Sequence, residues 1–404
     1  MLSRIVISRN DLFFAFLLTG YLGGVILYDW FDKLGFSYTD ELMALFLVLF
    51  AGWMAWERRS MKACIPLLIM LGIFLFYTLY SFAIRSNVPR AILMDLVIEM
   101  KPFLGFYCTC LVAPRLTQRQ KELFAVLALI VGGAMLIIGL TGQIEVVFGH
   151  PSRFATAATI TAFVYLYCCA WTWRDLLVFM LLLSVGFFST RSKFYGFWVV
   201  ALFLIVYLKA GGTVRFNWAS ILFICSFCLL ALWVARDKII LYYVDGMLNS
   251  REMWSRPAMM LTAGQILVDD IPFGSGLASF GTFASAEYYS PIYAKYGIDG
   301  LYGISRATRF FITDAYYPSL AQFGIVGVGL YVLFWASMLR KGYQGISPER
   351  MKGWTIILLS FLFFLIEGIA DATFTHNRGL YMLILTALTL NDLTTDHEVA
   401  HGEL

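Results

Sequence analysis

The sequence predicts an all-α, polytopic membrane protein with about twelve transmembrane helices and one large, structured extracytoplasmic loop. Of its 404 residues, 60% are hydrophobic and 14% are charged, whereas a soluble domain has roughly 45–50% apolar and about 25% charged residues. Apolar runs of membrane-spanning length recur along the chain, and the loops at alternate junctions are rich in Lys and Arg. One polar segment, residues 236–316, is far longer than any other loop.

A helix that crosses the hydrocarbon layer needs about 20 mostly apolar residues, within a range of about 17–25. Segments near this length fall at residues 11–30, 41–57, 63–84, 92–113, 122–141, 155–173, 175–190, 194–209, 217–235, 317–339, 354–371 and 377–392. The short pair 175–190 and 194–209 predicts a tight helical hairpin whose tip reaches the outer interface. No small-residue cleavage pattern follows the first run, which favours an uncleaved first span.

The distribution of basic residues predicts the orientation of these spans, because cytoplasmic loops carry an excess of Lys and Arg. The basic loops contain Arg4, Arg9, Arg58, Arg59, Lys62, Arg115, Arg119, Lys121, Arg174, Lys209, Arg215, Arg340, Lys341, Arg350 and Lys352. We therefore expect nine helices within residues 1–235, an extracytoplasmic domain at 236–316, three helices within 317–392 and a cytoplasmic tail at 393–404.

Several functional classes are disfavoured by composition and spacing. The net charge is +4, and the basic residues are distributed over alternate loops instead of forming one basic tract. Nucleic acid is therefore not an expected partner. The seven cysteines lie in or beside apolar spans and none lies in the long loop, which argues against a disulfide framework. Their spacing does not match a metal site, and we expect neither a metal nor another cofactor.

The long loop has the composition of a folded domain, since it is rich in Tyr, Phe, Met and Trp. Asn249 followed by Glu252 has the spacing of a capping box, and an approximate apolar stripe follows it. We expect a helix that begins there and ends at Asp269–Pro272. Gly274–Ser275–Gly276 then predicts a turn, with a backbone anion nest as the alternative.

Nine arginines remain on the predicted outer face, against the charge bias that sets topology. They are Arg85, Arg90, Arg153, Arg191, Arg251, Arg256, Arg306, Arg309 and Arg378. Arginine retained on the translocated side favours an anionic ligand that is handled outside the cytoplasmic membrane, since guanidinium binds anions in a planar, bidentate manner.

Three of these arginines have specific alternatives. Arg191, at the hairpin tip, either faces a cavity or anchors the hairpin by reaching the interface. Arg251 is expected in the first turn of the loop helix, where the helix dipole disfavours a cation unless an anion compensates. Arg251 and Arg256 both have the alternative of solvated surface residues.

The end of the long loop combines arginines with a carboxylate. If helical, Arg306 and Arg309 share a face that suits a diphosphate, with lipid-headgroup contact as the alternative. Asp314 is a candidate general base for activating an acceptor hydroxyl, and an ion pair with Arg309 is the competing account. Tyr316 either contacts substrate or belongs to an interfacial aromatic belt.

Two further groups of polar residues lie close to predicted spans. His376 and Arg378 form a compact polar cluster between the last two spans, and an ordinary loop is the alternative. Asp95, Glu99 and Lys101 lie within the fourth predicted span, where ionisable residues usually mark function. Glu99 and Lys101 could instead neutralise each other.

Four segments resemble the bacterial O-antigen ligase and Wzy-type polysaccharide polymerase superfamily, and they occur along the chain in the order that the superfamily has. FFSTRSKFYGFWVV at 187–200 resembles its Ser-Arg hairpin, and the segment 249–280 is similar to its arginine-tryptophan helix with a Pro-x-Gly-x-Gly turn. DAYYPSLAQFGIVGVGLY at 314–331 resembles the start of the span after the large loop, and HPSRFATAATITAFVY at 150–165 is a weaker match. The resemblance covers roughly residues 85–390.

The resemblance implies a glycosyltransferase of the bacterial inner membrane that acts on its extracytoplasmic face without metal or nucleotide sugar. Its donor would be an undecaprenyl-diphosphate-linked glycan, and Arg191 and Arg251 would contact the diphosphate. Asp314-Ala315-Tyr316 resembles the polymerases of the superfamily, whereas the ligases have a histidine-asparagine pair at this place.

We therefore expect an enzyme that polymerises lipid-linked repeat units into O-antigen or another surface polysaccharide, with a chain-length regulator as a candidate partner. The first alternative is an O-antigen ligase, whose acceptor is lipid A-core. The second is a lipid-linked oligosaccharide transporter or flippase, which typically has broken helices and polar residues at the membrane midplane. A non-enzymatic assembly scaffold is the third alternative, and it would not require the outer arginines.

Overall fold

The computed structural model describes residues 8–58, 61–211, 253–343 and 350–401, together with residues 233, 236–237 and 240–241. Within these residues the chain is all-helical and contains no β-strand. The predicted span 217–235, apart from Trp233, lies outside the described residues. Arg251 and the predicted capping pair Asn249 and Glu252 also lie outside them.

The first half of the chain forms ten helices in the described residues up to 211. They are α1 (Arg9–Thr19), α2 (Tyr28–Lys33), α3 (Thr39–Arg58), α4 (Met61–Ile84), α5 (Pro89–Val112), α6 (Gln118–Leu140), α7 (Ile144–Phe148), α8 (Pro151–Cys168), α9 (Trp173–Ser184) and α10 (Ser192–Lys209). A π-helical segment, Gly20–Ile26, continues α1, and a 3₁₀ turn, Val185–Ser189, continues α9. Ser8, Thr117 and Thr172 begin α1, α6 and α9 with reciprocal capping boxes, which satisfy backbone N–H groups that have no partner in the first turn.

The described part of the second half begins with α11 (Ser255–Asp269) and two short helices, α12 (Phe283–Glu287) and α13 (Ile292–Lys295). A 3₁₀ segment, Tyr317–Phe323, leads into α14 (Gly324–Tyr343). The last helices are α15 (Met351–Glu367) and α16 (Asn377–His401), with the 3₁₀ turn Thr373–Thr375 between them.

Five helical segments of the described chain are long and apolar enough to cross a membrane: Thr39–Glu57, Ala63–Ile84, Gln118–Leu140, Ser192–Lys209 and Tyr317–Tyr343. Other predicted spans are helical but shorter or more polar. For example, α15 has 17 residues, and α5 contains Arg90, Asp95, Glu99 and Lys101. The prediction of a membrane protein with apolar helices is therefore supported, while the number twelve and the sidedness stay predictions.

The centre of the molecule is formed by α8 and α16. Nearly every residue of α8 is buried, as is the stretch from Leu380 to Leu390 of α16. One large hydrophobic cluster joins these two helices to α1, α3, α5, α6, α9, α10, α14 and α15. By contrast, only 28% of the spanning part of α4 and 33% of that of α6 is buried, as expected of helices that present one face to lipid.

Residues 253–316 have a hydrophobic cluster of their own, which includes Met259, Ile266, Phe280 and Tyr293. The turn after α11 joins this region to the ends of α4 and α5. Ser86 Oγ donates to the Leu277 carbonyl at 2.7 Å, and the Ala278 N–H donates to Asp95 Oδ2 at 2.7 Å. These contacts fix the region against the helical bundle.

The Gly274–Ser275–Gly276 segment forms a turn rather than an anion nest, because the backbone N–H groups of both glycines are already used. The Gly274 N–H donates to the Asp270 carbonyl at 2.8 Å, and the Gly276 N–H donates to the Gln322 carbonyl at 2.9 Å. Gly274 has a φ of +76° and packs directly on Gly324, where an added Cβ would lie 2.3 Å from the Gly324 nitrogen. The glycine is therefore needed for close backbone approach.

The start of the loop helix was predicted incorrectly, whereas its end was predicted correctly. Helix α11 begins at Ser255 with Trp254 in extended conformation at its N-cap, and it ends at Asp269. Ser255 Oγ donates to the Tyr302 carbonyl, so this helix start is held by a segment about fifty residues away. A local capping pattern could not reveal that contact.

Candidate basic cluster at three helix starts

The N-terminal ends of α8, α10 and α16 meet at one place. His150 is the N-cap of α8, Arg191 is the N-cap of α10, and His376 directly precedes α16. Arg191 Nη2 lies 3.0 Å from His150 Nε2. Because the N-terminus of a helix carries partial positive charge, three such ends together favour an anion.

His150 cannot satisfy both of its neighbours when it is neutral. The Ser152 N–H donates to His150 Nδ1 at 3.3 Å, and Arg191, which can only donate, faces Nε2. A neutral imidazole has one acceptor nitrogen, so capping α8 through Nδ1 places an N–H on Nε2 against the guanidinium. Burial and the charge of Arg191 both lower the pKa of His150, which keeps the ring neutral. An anion between Nε2–H and Arg191 would accept from both groups.

Asp29 bridges two arginines from different helices. Its Oδ1 accepts from Arg153 on α8, and its Oδ2 accepts from Arg378 Nη2 on α16 at 2.5 Å. The side chains of Asp29 and Arg378 are 2% and 4% exposed, whereas Arg153 is 43% exposed. Arg378 therefore holds Asp29 in the interior, and Arg153 is the member of this group that a ligand could reach.

Lys193, on the first turn of α10, is held by one carboxylate at the last residue of α15 and one just after this helix. Its Nζ donates to Glu367 Oε2 at 2.6 Å, to Asp371 Oδ2 at 2.9 Å and to the Ala370 carbonyl at 3.3 Å. These contacts tie the hairpin tip that carries Arg191 to the segment before His376.

His376 is a surface residue among these groups, with protein packed closely around its ring, and its side chain makes no hydrogen bond within the described part of the chain. Removal of water by the surrounding protein lowers the pKa of His376 to about 4. The positive charges of Arg153, Lys101 and Arg378 also lower this pKa, whereas the negative charge of Asp371 raises it. The ring is therefore neutral near pH 7 and keeps an acceptor nitrogen, which is the state that a general base requires.

We define the basic cluster by Arg153, Arg191, Lys193 and Arg378, the imidazoles of His150 and His376, and the carboxylates Asp29, Glu367 and Asp371. Four cations against three carboxylates leave an excess of one positive charge in this set. The accessible members are Arg153, Arg191, His150 and His376. The arrangement can bind an anion and accept a proton from a nearby hydroxyl.

The structure brings together Arg153, Arg191, His376 and Arg378 from the predicted set, but it uses the arginines of the long loop differently. Arg309 donates to the Ala286 and Glu287 carbonyls at 2.9 and 3.0 Å and to the Arg306 carbonyl at 3.0 Å. Arg306 stacks its guanidinium over the Tyr289 ring at 5.1 Å. Neither residue is helical, so the shared helical face expected for them is absent.

Asp314 forms an ion pair with Arg256 on α11 rather than with Arg309. The two side chains are 24% and 27% exposed. Tyr316 is buried in the core, where its ring packs on Phe374 with centroids 4.8 Å apart. This burial argues against the alternative of an interfacial belt, and the predicted substrate contact of Tyr316 stays a prediction. Arg85 and Arg90 are exposed at the junction of α4 and α5, and Arg251 lies outside the described residues.

Sequence reasoning missed Asp29, Lys193, Glu367 and Asp371 as members of the site and did not single out His150. Glu367 and Asp371 fall at the end of a predicted span, where any ionisable residue is a functional candidate, so a signal was present. Asp29 carried a similar signal, since it lies at the end of the first predicted span, residues 11–30. Its partners Arg153 and Arg378 are more than a hundred residues away.

Lys101, near His376, pairs with the first turn of α3 instead of with Glu99. Its Nζ donates to Asp40 and, at 2.9 Å, to Glu41 Oε1. The alternative in which Glu99 and Lys101 neutralise each other is therefore disfavoured. Within the described residues, no three His, Cys, Asp or Glu side chains are grouped so that they could hold a metal ion.

Comparison with protein-family models and with curated proteins finds no match to this chain.

Proposed function

We propose that this protein is a membrane glycosyltransferase that polymerises undecaprenyl-diphosphate-linked repeat units on the extracytoplasmic face of the bacterial inner membrane. The observation that carries the proposal is the convergence of three helix starts with Arg153, Arg191 and two neutral imidazoles. Helix starts and guanidinium groups are the two features that proteins most often use to hold phosphate.

The basic cluster would hold the diphosphate of the donor. Arg191 and His150 Nε2–H would donate to one phosphate, and Arg153, which is 43% exposed, would reach the other. Asp29 fixes Arg153, and Glu367 and Asp371 fix Lys193 two residues after Arg191, so little reorganisation is needed when charge develops on the leaving group. Preorganised charge of this kind is usually the largest catalytic contribution.

The reaction forms one bond and breaks one. A hydroxyl oxygen at the non-reducing end of the acceptor attacks the anomeric carbon of the donor sugar, and the bond from that carbon to the diphosphate oxygen breaks. The electron pair leaves with undecaprenyl diphosphate, and the hydroxyl proton passes to a general base. His376 is our first candidate for that base, because its ring is neutral and open within the cluster. Asp314 is the second candidate for the base. It ranks below His376 because its carboxylate already accepts a hydrogen bond from Arg256.

Replacing Arg191 tests the diphosphate contact. In Arg191→Ala we expect long-chain product to fall by about 10- to 100-fold, because a hydrogen bond to a charged group contributes roughly 1.5–3 kcal/mol. Arg191→Lys should recover only part of the activity, since Lys lacks the planar fork. The measurement is the chain-length distribution of lipid-linked glycan in membranes that contain equal amounts of each variant.

Arg119→Ala is the matched control, because Arg119 is an exposed arginine at the start of α6, in a loop predicted to be cytoplasmic. It should leave chain length unchanged. Normal chain lengths from Arg191→Ala would contradict the proposal and make Arg191 an interfacial anchor. If Arg191→Ala instead blocks surface transfer of single repeat units as well, a ligase would replace the polymerase.

A further inference from the structure

An apolar groove of 310 Å³ lies between α4, α5 and α14 and is separate from the basic cluster. Its wall is largely aromatic and includes Phe74, Tyr107, Tyr316, Phe323 and Tyr331. This volume lies at the lower end of the range of about 300–1,000 Å³ that is typical of ligand sites.

Glu99 is the one charged side chain among the residues that line this groove. It is 3% exposed, and its carboxyl makes no hydrogen bond or ion pair with any residue that the structure describes. Burying a polar group without a partner is costly, so a groove that served only for packing would be expected to carry an apolar residue here. The carboxyl marks the groove as a place that a ligand enters.

The groove runs along the helices and opens sideways. Its lining extends on α4 from Pro66 to Tyr77, which corresponds to about 16 Å at 1.5 Å per residue. Two residues of its rim, Ile69 and Leu333, are 59% and 63% exposed. Both α4 and α14 belong to the five segments that are suited to cross a membrane, so the opening would face the hydrocarbon layer. Its length and direction fit a hydrocarbon chain that lies parallel to the lipids.

One aromatic layer connects the groove to the basic cluster. Tyr316, in the groove wall, packs on Phe374, and Phe374 also contacts Phe103 of the opposite wall at 5.5 Å between ring centroids. Phe374 lies in the 3₁₀ turn that directly precedes His376. A molecule with its chain in the groove and its head at this turn would therefore place an anionic group next to the basic cluster.

We propose that the groove binds the polyprenyl chain of the lipid-linked substrate, with Glu99 at its wall. This inference rests on the proposed function for the identity of the substrate. Part of the branched chain fits this aromatic groove, which Pro66 and Gly327 line at positions without long side chains. Adding a Cβ to Gly327 would bring it 2.1 Å from Phe323 Cβ, so a larger residue at 327 would displace the Phe323 ring from the groove wall.

Modification of Glu99 by a carbodiimide tests access and occupancy together. The protonated carboxyl transfers its proton to a carbodiimide nitrogen while its oxygen bonds to the central carbon, and an oxygen-to-nitrogen acyl shift leaves a stable N-acylurea. With purified full-length protein in detergent, we expect the membrane-soluble dicyclohexylcarbodiimide to label the Glu99 peptide, as followed by mass spectrometry. Glu99→Gln removes the reacting group and is the control for the site of labelling.

Undecaprenyl phosphate is the probe for binding of the polyprenyl chain in the groove. At about ten times its dissociation constant it should slow labelling by about tenfold, because an occupied groove excludes the reagent. Dioleoyl phosphatidylglycerol at the same mole fraction should have little effect. Absence of labelling without lipid, or equal protection by both lipids, would overturn the proposal. If undecaprenyl phosphate protects Glu99 but the purified protein makes no polymer, the groove assignment is retained and the proposed function is rejected.

A pair of tryptophan variants on α14 provides an independent test. Leu330 lines the groove, whereas Val332 is 58% exposed and does not line it. Leu330→Trp should fill the groove and slow labelling of Glu99 before any lipid is added, while Val332→Trp should label at the wild-type rate and keep its protection by undecaprenyl phosphate. Slowed labelling in both variants, or in neither, would contradict the assignment of this groove.

Discussion

Arginines that look alike in the sequence take different roles once their partners are known. Arg309 holds three backbone carbonyls and Arg378 is buried against Asp29, so both serve the fold. Arg153 and Arg191 have one face open. Sequence could predict that arginine is retained on one side of the protein. It could not predict which residues are already occupied, because their partners are carbonyls and carboxylates distant in the chain.

His376 should matter more than Asp314 for the chemical step. We expect His376→Ala to lower the polymerisation rate by about 10²–10⁴-fold, the usual loss when a general base is removed. Asp314→Asn should lower it less, because the carboxylate is held by Arg256. The measurement is the rate of polymerisation by purified protein at equal concentration.

The pH dependence separates these two candidates from a structural effect. A general base must be deprotonated to act, which for histidine is the neutral ring, and because the pKa of His376 is lowered from 6.5 to about 4, activity should persist as pH falls through about 6 and be lost only near about 4. An acid limb near the ordinary histidine pKa would argue against His376. A larger loss in Asp314→Asn than in His376→Ala, with normal thermal stability, would transfer the role to Asp314.

At the scale of elements, α5 carries three buried ionisable residues with three separate tasks. Asp95 accepts the Ala278 N–H from the turn after α11, Glu99 faces the groove, and Lys101 pairs with the start of α3. The sequence marks all three as unusual for a span. The sequence does not reveal that Asp95 contacts the turn after α11 whereas Lys101 contacts the start of α3, because these partners are distant in the chain.

Removing the Asp95 carboxylate should release the 253–316 region from α5. In Asp95→Ala the Ala278 N–H, which donates to Asp95 Oδ2 at 2.7 Å in a buried site, would lose its acceptor. A buried donor without a partner costs about 1–3 kcal/mol, so we expect a lower melting temperature in detergent. Asp95→Asn keeps an acceptor oxygen and should melt closer to the wild type. Equal melting of the Ala variant and the wild type would show that other contacts are sufficient to dock the turn.

Helix boundaries could be predicted where their determinants are local. The hairpin of α9 and α10 was predicted correctly, with its turn at residues 190–193, because two apolar runs flank a short polar turn. The structure adds a tight contact there, since Phe194 packs against Gly186, where an added Cβ would lie 2.2 Å from the ring. The start of α11 depends on the distant Tyr302 carbonyl, and no local pattern could have predicted it.

For the whole molecule, sidedness decides what the basic cluster can do. The starts of α8, α10 and α16 lie together, and the Lys and Arg alternation predicts that this end of the bundle is extracytoplasmic. Composition could predict the membrane class and the position of the apolar helices. The cluster itself could not be predicted, because it joins Asp29, Arg153, Arg191 and Arg378 across most of the chain.

Cysteine accessibility tests the sidedness directly. Ala307 is an exposed residue between Arg306 and Thr308, so Ala307→Cys should react with a membrane-impermeant maleimide in intact spheroplasts. Ser285, in the same region, is buried with hydrogen bonds to Thr282 and Tyr293 and would be an unsuitable reporter. Arg119→Cys, at a loop predicted to be cytoplasmic, should react only after lysis.

The wild-type protein is the background control, because its cysteines in the described residues are buried or half-buried. Labelling at 307 before lysis together with protection at 119 would place residues 253–316 outside, on the side where a lipid-linked glycan is polymerised. The reverse pattern would place the basic cluster in the cytoplasm, since the turn after α11 docks on the N-terminal half of α5, the end predicted to share its side with the cluster. A cytoplasmic cluster would face nucleotide-linked donors, and the proposed reaction would then have to be abandoned even if Arg191 proved essential.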